Sequence, residues 1–162
     1  MATETCAGCG IVLETYDGPV HPYLGASAGC WAIFGEVLAR EFNNPVNMRV
    51  HGTTVDTYAV QHPGVPEPRS TQSVNLHLVR LCLVLEHDVP QDAATRLMTQ
   101  VHRGADLIWL EPPVPNGSIT AKDVLQQGDR HCDAVMKWAR DVWAAWAPHH
   151  DHVHRLMRTV NA

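Results

Sequence analysis

The sequence has few basic residues and no cluster of them. Its 12 Lys and Arg residues are outnumbered by 17 Asp and Glu residues, which gives a net charge of -5 at neutral pH. Proteins that bind nucleic acid or an anionic membrane surface neutralise phosphate groups with grouped Lys and Arg side chains. The composition therefore predicts neither a nucleic-acid partner nor a membrane partner.

The chain also lacks the segments that membrane insertion or secretion requires. It contains no run of about eighteen apolar residues, and residues 1–20 carry Glu4, Glu14 and Asp17 without the basic stretch and apolar run of a secretory signal. Its five cysteines are odd in number and are not spaced as a disulfide framework. These absences predict a cytoplasmic protein.

Alternation of apolar and polar residues is nearly absent, so little β-sheet is expected, and apolar residues recur instead at helical spacing. The 162 residues are enough to bury one core. Helices are predicted over residues 28–43 with Ser27 as N-cap, 53–61, 70–87, 90–102 with Gly104 as the stop, 121–126, and from 129 onward with a break at Pro148. The predicted fold is mainly α, a single domain 1–162 in which an N-terminal zinc-knuckle arm (1–30) precedes a bundle of four to five helices (31–162).

The most specific chemical signal is a short motif in the arm. Cys6 and Cys9 are separated by two residues and have glycines beside them, a spacing typical of a knuckle whose backbone N–H groups point at metal-bound thiolates. His21 and Cys30 follow within the arm. Three thiolates and one imidazole form a closed tetrahedral set with zinc as the default metal, so Cys6, Cys9, His21 and Cys30 are the predicted ligands.

Each predicted ligand has an alternative interpretation. The Cys6 and Cys9 pair also fits a redox pair. Cys30 falls in the first turn of a predicted helix, where the macrodipole lowers a thiol pKa, so it is a ligand, a nucleophile activated beside His21, or a small buried residue. His21 either reaches back to the knuckle or forms hydrogen bonds within its own loop.

A second group of polar residues lies in the middle of the chain. His77 interrupts the most apolar helix, and a buried imidazole costs free energy unless its nitrogens have partners. Asp56 and His62 lie on the preceding helix, and His51 lies just before them. These four residues are predicted as a possible second metal site, for zinc or non-haem iron, with His77, Asp56 and His62 as catalytic residues. The alternative is a core histidine bonded to Asp56 or Tyr58.

Four histidines follow the last tryptophan, and they are open to two interpretations. They form either a solvated terminal face or, through the pair four residues apart at positions 150 and 154, a chelating pair on a helix. The residues concerned are His149, His150, His152 and His154.

Several motifs resemble those of a small uncharacterised bacterial family, a domain of unknown function. The motifs are Cys6–Gly10 (CxxCG), His21–Tyr23 (HPY), Ala26–Trp31 (ASxxCW), Val55–Gly64 (VDxYAxQHPG) and Gln72–Leu78 (QSVxxHL). Trp146–His150 fits the same likeness, which covers most of the chain. The resemblance implies that the Cys, His, Asp and Gln positions form a shared site, and it implies no activity.

Two functions are consistent with these features. The first is a soluble zinc-binding protein in which a structural Cys/His site accompanies a small-molecule or partner site at a buried His/Asp/Gln cluster. The second is a metal-dependent enzyme at the mid-chain cluster, a hydrolase or lyase with zinc or an oxygenase with iron. The sequence predicts no substrate and no oligomeric state.

Overall fold

The computed structural model describes residues 1–101 and 107–160, and these residues form a mainly helical fold. Helix accounts for 63% of it, in seven helices with one two-stranded sheet. The elements are β1 (Thr3–Thr5), β2 (Val12–Glu14), α1 (Ala28–Phe42), α2 (His51–Gln61), α3 (Pro68–His87), α4 (Gln91–Val101), α5 (Ala121–Leu125), α6 (His131–Ala145) and α7 (His150–Val160). The prediction of a mainly α bundle with an N-terminal arm is confirmed. The predicted helix end at His102 and its stop at Gly104 lie outside the described residues.

The arm begins with a β-hairpin, which is the little β-sheet that the described residues contain. Strands β1 and β2 pair antiparallel, with Thr3 opposite Glu14 and Thr5 opposite Val12. Each strand has three residues, which is too short for an alternating pattern to stand out from the background. The hairpin matters because its loop carries the first two cysteines.

Helix α1 begins where the sequence predicts it, because Ser27 caps it. The Ser27 hydroxyl accepts a hydrogen bond from the backbone N–H of Cys30, which satisfies one of the free donors of the first turn. The buried face of the helix then repeats at intervals of four, three and four residues, through Cys30, Phe34, Val37 and Glu41. This stripe ties the N-terminal end of the helix, where Cys30 lies, to the bundle core.

Helices α2 and α3 are the central pair, and each starts two residues earlier than predicted. Helix α3 starts at Pro68 because the Glu67 carboxylate accepts hydrogen bonds from the backbone N–H groups of Arg69 and Ser70. Proline suits this first helical position, where no N–H partner is needed. Val74, Leu78 and Leu81 of α3 are fully buried, as expected for a helix packed on several sides.

Over residues 1–101 and 107–160, no helix is both long and apolar enough to cross a bilayer.

Residues 107–120 have no regular structure and are fixed to the bundle by two buried amides. Gln61 donates from Nε2 to the carbonyls of Asn116 (2.9 Å) and Ile119 (2.8 Å), and its Oε1 accepts from the Trp138 indole at 3.0 Å. Asn116 donates to the Val60 carbonyl at 2.9 Å and accepts from the indole of Trp146. Both amides therefore connect the end of α2 and this segment to the middle and the C-terminal end of α6.

We expect Gln61→Leu to reduce the free energy of unfolding by about 2–4 kcal/mol, because the indole of Trp138 and two backbone carbonyls would lose their buried partner. Urea denaturation followed by circular dichroism measures the change. Gln100→Leu, on the exposed surface of α4, is the matched control and should change stability by less than about 0.5 kcal/mol. Equal stabilities of the two variants would contradict the role given to Gln61.

Candidate metal centre

The loop between β1 and β2 forms a tight turn around the first two cysteines. The backbone N–H of Cys6 donates to the carbonyl of Ile11 at 2.8 Å, and that of Gly10 donates to the carbonyl of Cys6 at 2.9 Å. Gly10 has φ of 76°, a left-handed conformation that side chains disfavour. The turn therefore requires glycine at this position, and it holds Cys6 and Cys9 on one side of the loop.

Four side chains from three separate segments converge beside this turn. The ligand atoms of Cys6, Cys9, Cys30 and His62 all lie within 4.8 Å of one another. The Cys9 and Cys30 sulfurs are 3.8 Å apart, and the Cys30 sulfur is 3.3 Å from His62 Nε2. A tetrahedral ion with metal–sulfur bonds of about 2.3 Å and a metal–nitrogen bond of about 2.0 Å needs sulfur–sulfur distances of about 3.8 Å and sulfur–nitrogen distances of about 3.5 Å. The four side chains therefore fit a metal ion.

The secondary structure explains why these four meet. Cys6 and Cys9 come from the hairpin loop, and Cys30 is the third residue of α1. His62 is the residue at which α2 ends, immediately before Pro63. The site therefore lies where the β1–β2 hairpin packs against the start of α1 and the end of α2.

The His62 ring is oriented for metal binding by the helix that precedes it. Its Nδ1 lies 2.8 Å from the carbonyl oxygen of Tyr58, one turn back, so the proton is on Nδ1 and the lone pair is on Nε2. The ring also stacks on the Tyr58 ring, with centroids 3.9 Å apart. A hydrogen bond of this kind to the distal nitrogen fixes the tautomer and increases the basicity of a metal-binding histidine.

The sulfur atoms also receive hydrogen bonds from the protein. The Tyr58 hydroxyl donates to Cys30 Sγ at 3.4 Å, and the backbone N–H of Ser27 donates to Cys6 Sγ at 3.5 Å. Burial, followed by the charge of Cys30, raises the pKa of Tyr58, so its phenol remains a neutral donor. Both contacts favour thiolates over thiols at these positions.

The cysteines cannot all be ionised without a cation. Hydrogen bonds from Cys30 and Cys9 hold the pKa of Cys6 far below its usual value, whereas contact with Cys6 and Cys9 raises the pKa of Cys30. Cys6 and Cys30 are buried, so solvent does little to separate the charges. A divalent ion bound between them would supply the positive charge that three adjacent thiolates need.

The structure brings together three of the four predicted ligands of the first site and replaces the fourth. His21 Nδ1 accepts hydrogen bonds from the backbone N–H groups of Tyr23 (3.3 Å) and Leu24 (3.2 Å), so its ring supports its own loop. His62, which the sequence analysis grouped with the mid-chain residues, stands at the fourth position. The local signal for it was its place at the end of α2, immediately before Pro63.

The residues of the predicted second site do not converge on one point. His77 Nδ1 lies 2.7 Å from Asp56 Oδ1, and the guanidinium of Arg80 pairs with Oδ2 at 2.9 Å. His62 faces the cysteines, and His51 Nδ1 lies 2.8 Å from a carboxylate oxygen of Glu41. His77 therefore has the contact with Asp56 that the alternative interpretation expects, although its side chain is half-buried and not in the core, and Arg80 is a second partner of Asp56.

Glu41 is a buried carboxylate that the sequence analysis did not identify. It accepts hydrogen bonds from His51, from the Thr54 hydroxyl and from His131 Nε2, which lies 2.8 Å away. Its position on the buried stripe of α1, four residues after Val37, was the available signal. This cluster joins α1, α2 and α6.

The C-terminal histidines have separate partners. His149 Nε2 lies 2.8 Å from the carbonyl oxygen of Glu111, His150 stacks on Trp143, and His152 Nε2 lies 2.8 Å from Asn75 Oδ1. The rings of His150 and His154 are 6.0 Å apart at their centroids. His154 instead pairs with the carboxylate of Glu86 on α3.

Comparisons with known proteins give one match. The sequence of residues 4–147 matches a family described as a family of unknown function, DUF5946. No curated protein and no solved structure matches the chain.

We expect Gly8→Ala to destabilise the protein by about 1–3 kcal/mol and to weaken metal binding, because close packing leaves no room for a methyl group. A Cβ at this position would lie 2.5 Å from His62 Cδ2 and 2.6 Å from the Gln61 carbonyl oxygen. Thermal unfolding measures the stability. Gly35→Ala is the control, because a Cβ there meets no atom within 4 Å and it should stabilise α1 by about 0.5–1 kcal/mol. A tolerated Gly8→Ala would contradict the close approach of the knuckle to α2.

Proposed function

We propose that this chain, which belongs to DUF5946, a family of unknown function, is a zinc-binding protein. In this proposal a closed Cys3His centre fixes the N-terminal arm to the helical bundle. The single observation that supports this proposal is the convergence of Cys6, Cys9, Cys30 and His62. The four donors come from three separate parts of the chain, namely the hairpin loop, the start of α1 and the end of α2.

The donor set favours zinc as the ion. Thiolate and imidazole ligands in a tetrahedral arrangement are typical of structural zinc, whereas magnesium and calcium take oxygen ligands. Four protein donors fill the tetrahedral positions and leave none for water. The ion therefore stabilises the fold and does no chemistry of its own.

The arm depends on such an ion, because it buries little apolar surface. Cys6 is the only buried residue of the described hairpin from Thr3 to Glu14, and an isolated two-stranded hairpin is at best marginally stable in water. Leu13 and Ile11 are only partly buried. Metal binding at the knuckle supplies the missing folding free energy.

A groove beside the knuckle is our proposed location for a small-molecule or protein partner. It has a volume of about 400 Å³ and lies between the Cys6–Gly10 turn, Pro63 and Gly64, and the segment Glu111–Asn116. Its walls are mostly proline and glycine, and Val114 at its edge is 96% exposed. The buried His/Asp/Gln cluster is less suitable, because Gln61 and Asp56 already have partners within the fold.

The proposal of a metal-dependent enzyme at the mid-chain residues has less support. Asp56 is bonded to His77 and Arg80, and His62 Nε2 faces Cys30, so a zinc or iron ion would find no common position among His51, Asp56, His62 and His77. Cys30 as a nucleophile is likewise disfavoured, because it is buried and in contact with three other donors of the site. The structural zinc centre is therefore the function that we put forward.

We expect one firmly bound zinc per chain, lost in Cys9→Ser and in His62→Ala, because each variant removes one of four donors. His21→Ala and His77→Ala are the matched controls and should keep the zinc. Inductively coupled plasma mass spectrometry on protein without a histidine tag measures the content. Zinc retained in His62→Ala and lost in His21→Ala would overturn the ligand assignment.

Removal of the ion should release the arm and leave the bundle folded. We expect hydrogen exchange to increase at residues 3–14 and 24–30 after chelation, because these segments meet at the metal, while α3 and α6 keep their protection. Mass spectrometry of peptic fragments before and after chelation measures this, and added zinc should restore the protection. Unchanged exchange in the arm would show that the ion is not what holds it.

A further inference from the structure

The C-terminal end of α3 carries a second group of metal-binding side chains, far along the chain from the knuckle. Cys82 and Glu86 are four residues apart on one helical face, and His87 is the last residue of the helix. One ligand atom from each of the three lies within 4.8 Å of the other two. The negative end of the helix dipole also favours a cation at this place.

We propose that Cys82, Glu86 and His87 form an exchangeable binding site for a divalent transition-metal ion of the zinc class. The thiolate, carboxylate and imidazole are donors that zinc accepts together. The proposal does not depend on the Cys3His centre, because the two groups share no residue.

The carboxylate of Glu86 is held in position by α6 and α7. Its Oε1 accepts a hydrogen bond from the Trp143 indole at 3.0 Å, and its Oε2 lies 2.8 Å from His154 Nε2. These contacts outweigh the effect of burial and hold the pKa of Glu86 below its usual value. Partners of this kind orient a ligating carboxylate and usually affect metal affinity.

The thiol of Cys82 faces the same carboxylate. Its sulfur is 3.6 Å from Glu86 Oε2 and 3.6 Å from the sulfur of Met157 on α7. Burial and the charge of Glu86 raise the pKa of Cys82 to about 12, so the metal-free chain carries a neutral thiol here. The site has a soft, buried side made of sulfur and an exposed side made of Glu86 and His87.

This group differs from the knuckle centre in having three donors in place of four. Zinc sites with three protein ligands keep a fourth position for water or another small donor. Glu86 and His87 are exposed, so an ion can enter and leave from solvent. The expected behaviour is a weaker, exchangeable second equivalent of metal beside a firmly bound first.

Cobalt titration of the full chain loaded with one zinc tests this proposal. We expect Co²⁺ to produce a thiolate-to-cobalt charge-transfer band while mass spectrometry shows that the first zinc stays bound. Cys82→Ser should abolish the band, and His87→Ala and Glu86→Gln should weaken cobalt binding by at least about tenfold. Trp143→Phe should lower the affinity and leave the band in place, because it removes the hydrogen bond that positions Glu86 and none of the three donors.

The control is His149→Ala, which removes a histidine outside the group and should leave the titration unchanged. His87 and Glu86 are exposed, so their variants remain informative if Cys82→Ser folds poorly. Absence of a charge-transfer band in the wild type would overturn the proposal. So would a band of equal affinity in His87→Ala and Glu86→Gln, or one that persists in a folded Cys82→Ser variant.

Discussion

The close approach of three cysteine sulfurs, two of them buried, is the constraint on which the N-terminal third of the molecule depends. Cys6, Cys9 and Cys30 lie in contact with one another, and Cys6 and Cys30 have almost no access to solvent. Such a group is stable as thiolates only around a cation, so the ion and the fold of the arm are coupled. The hairpin, the start of α1 and the end of α2 are joined at this one point.

The remainder of the fold is organised by networks of hydrogen-bonded buried polar groups. Gln61 and Asn116 fix an irregular segment to the central helices, and Glu41 joins three helices through His51, Thr54 and His131. A buried carboxylate or amide costs several kcal/mol if one partner is lost, so each network selects one arrangement of the helices. These networks lie where helices meet one another or meet the irregular segment 107–120, and there apolar packing alone would allow more than one relative orientation.

Local signals in the sequence predicted the helices well and the ligand set only in part. Ser27 marked the start of α1 because capping depends on neighbouring residues. The choice of His62 over His21 as the fourth ligand depends on how the β1–β2 hairpin packs against the end of α2, which lies far along the chain. No pattern of neighbouring residues in the sequence contains that information. Glu41 was missed for a related reason, since its partner His131 lies 90 residues away.

X-ray absorption spectroscopy at the zinc edge, on untagged protein carrying one equivalent of zinc, is the decisive experiment for the Cys3His centre. We expect a four-coordinate zinc with three sulfur neighbours at about 2.3 Å and one imidazole nitrogen at about 2.0 Å. That result would confirm a closed centre with no bound water. Two sulfurs or fewer, or an oxygen in the coordination sphere, would contradict the Cys3His assignment and the structural role that follows from it.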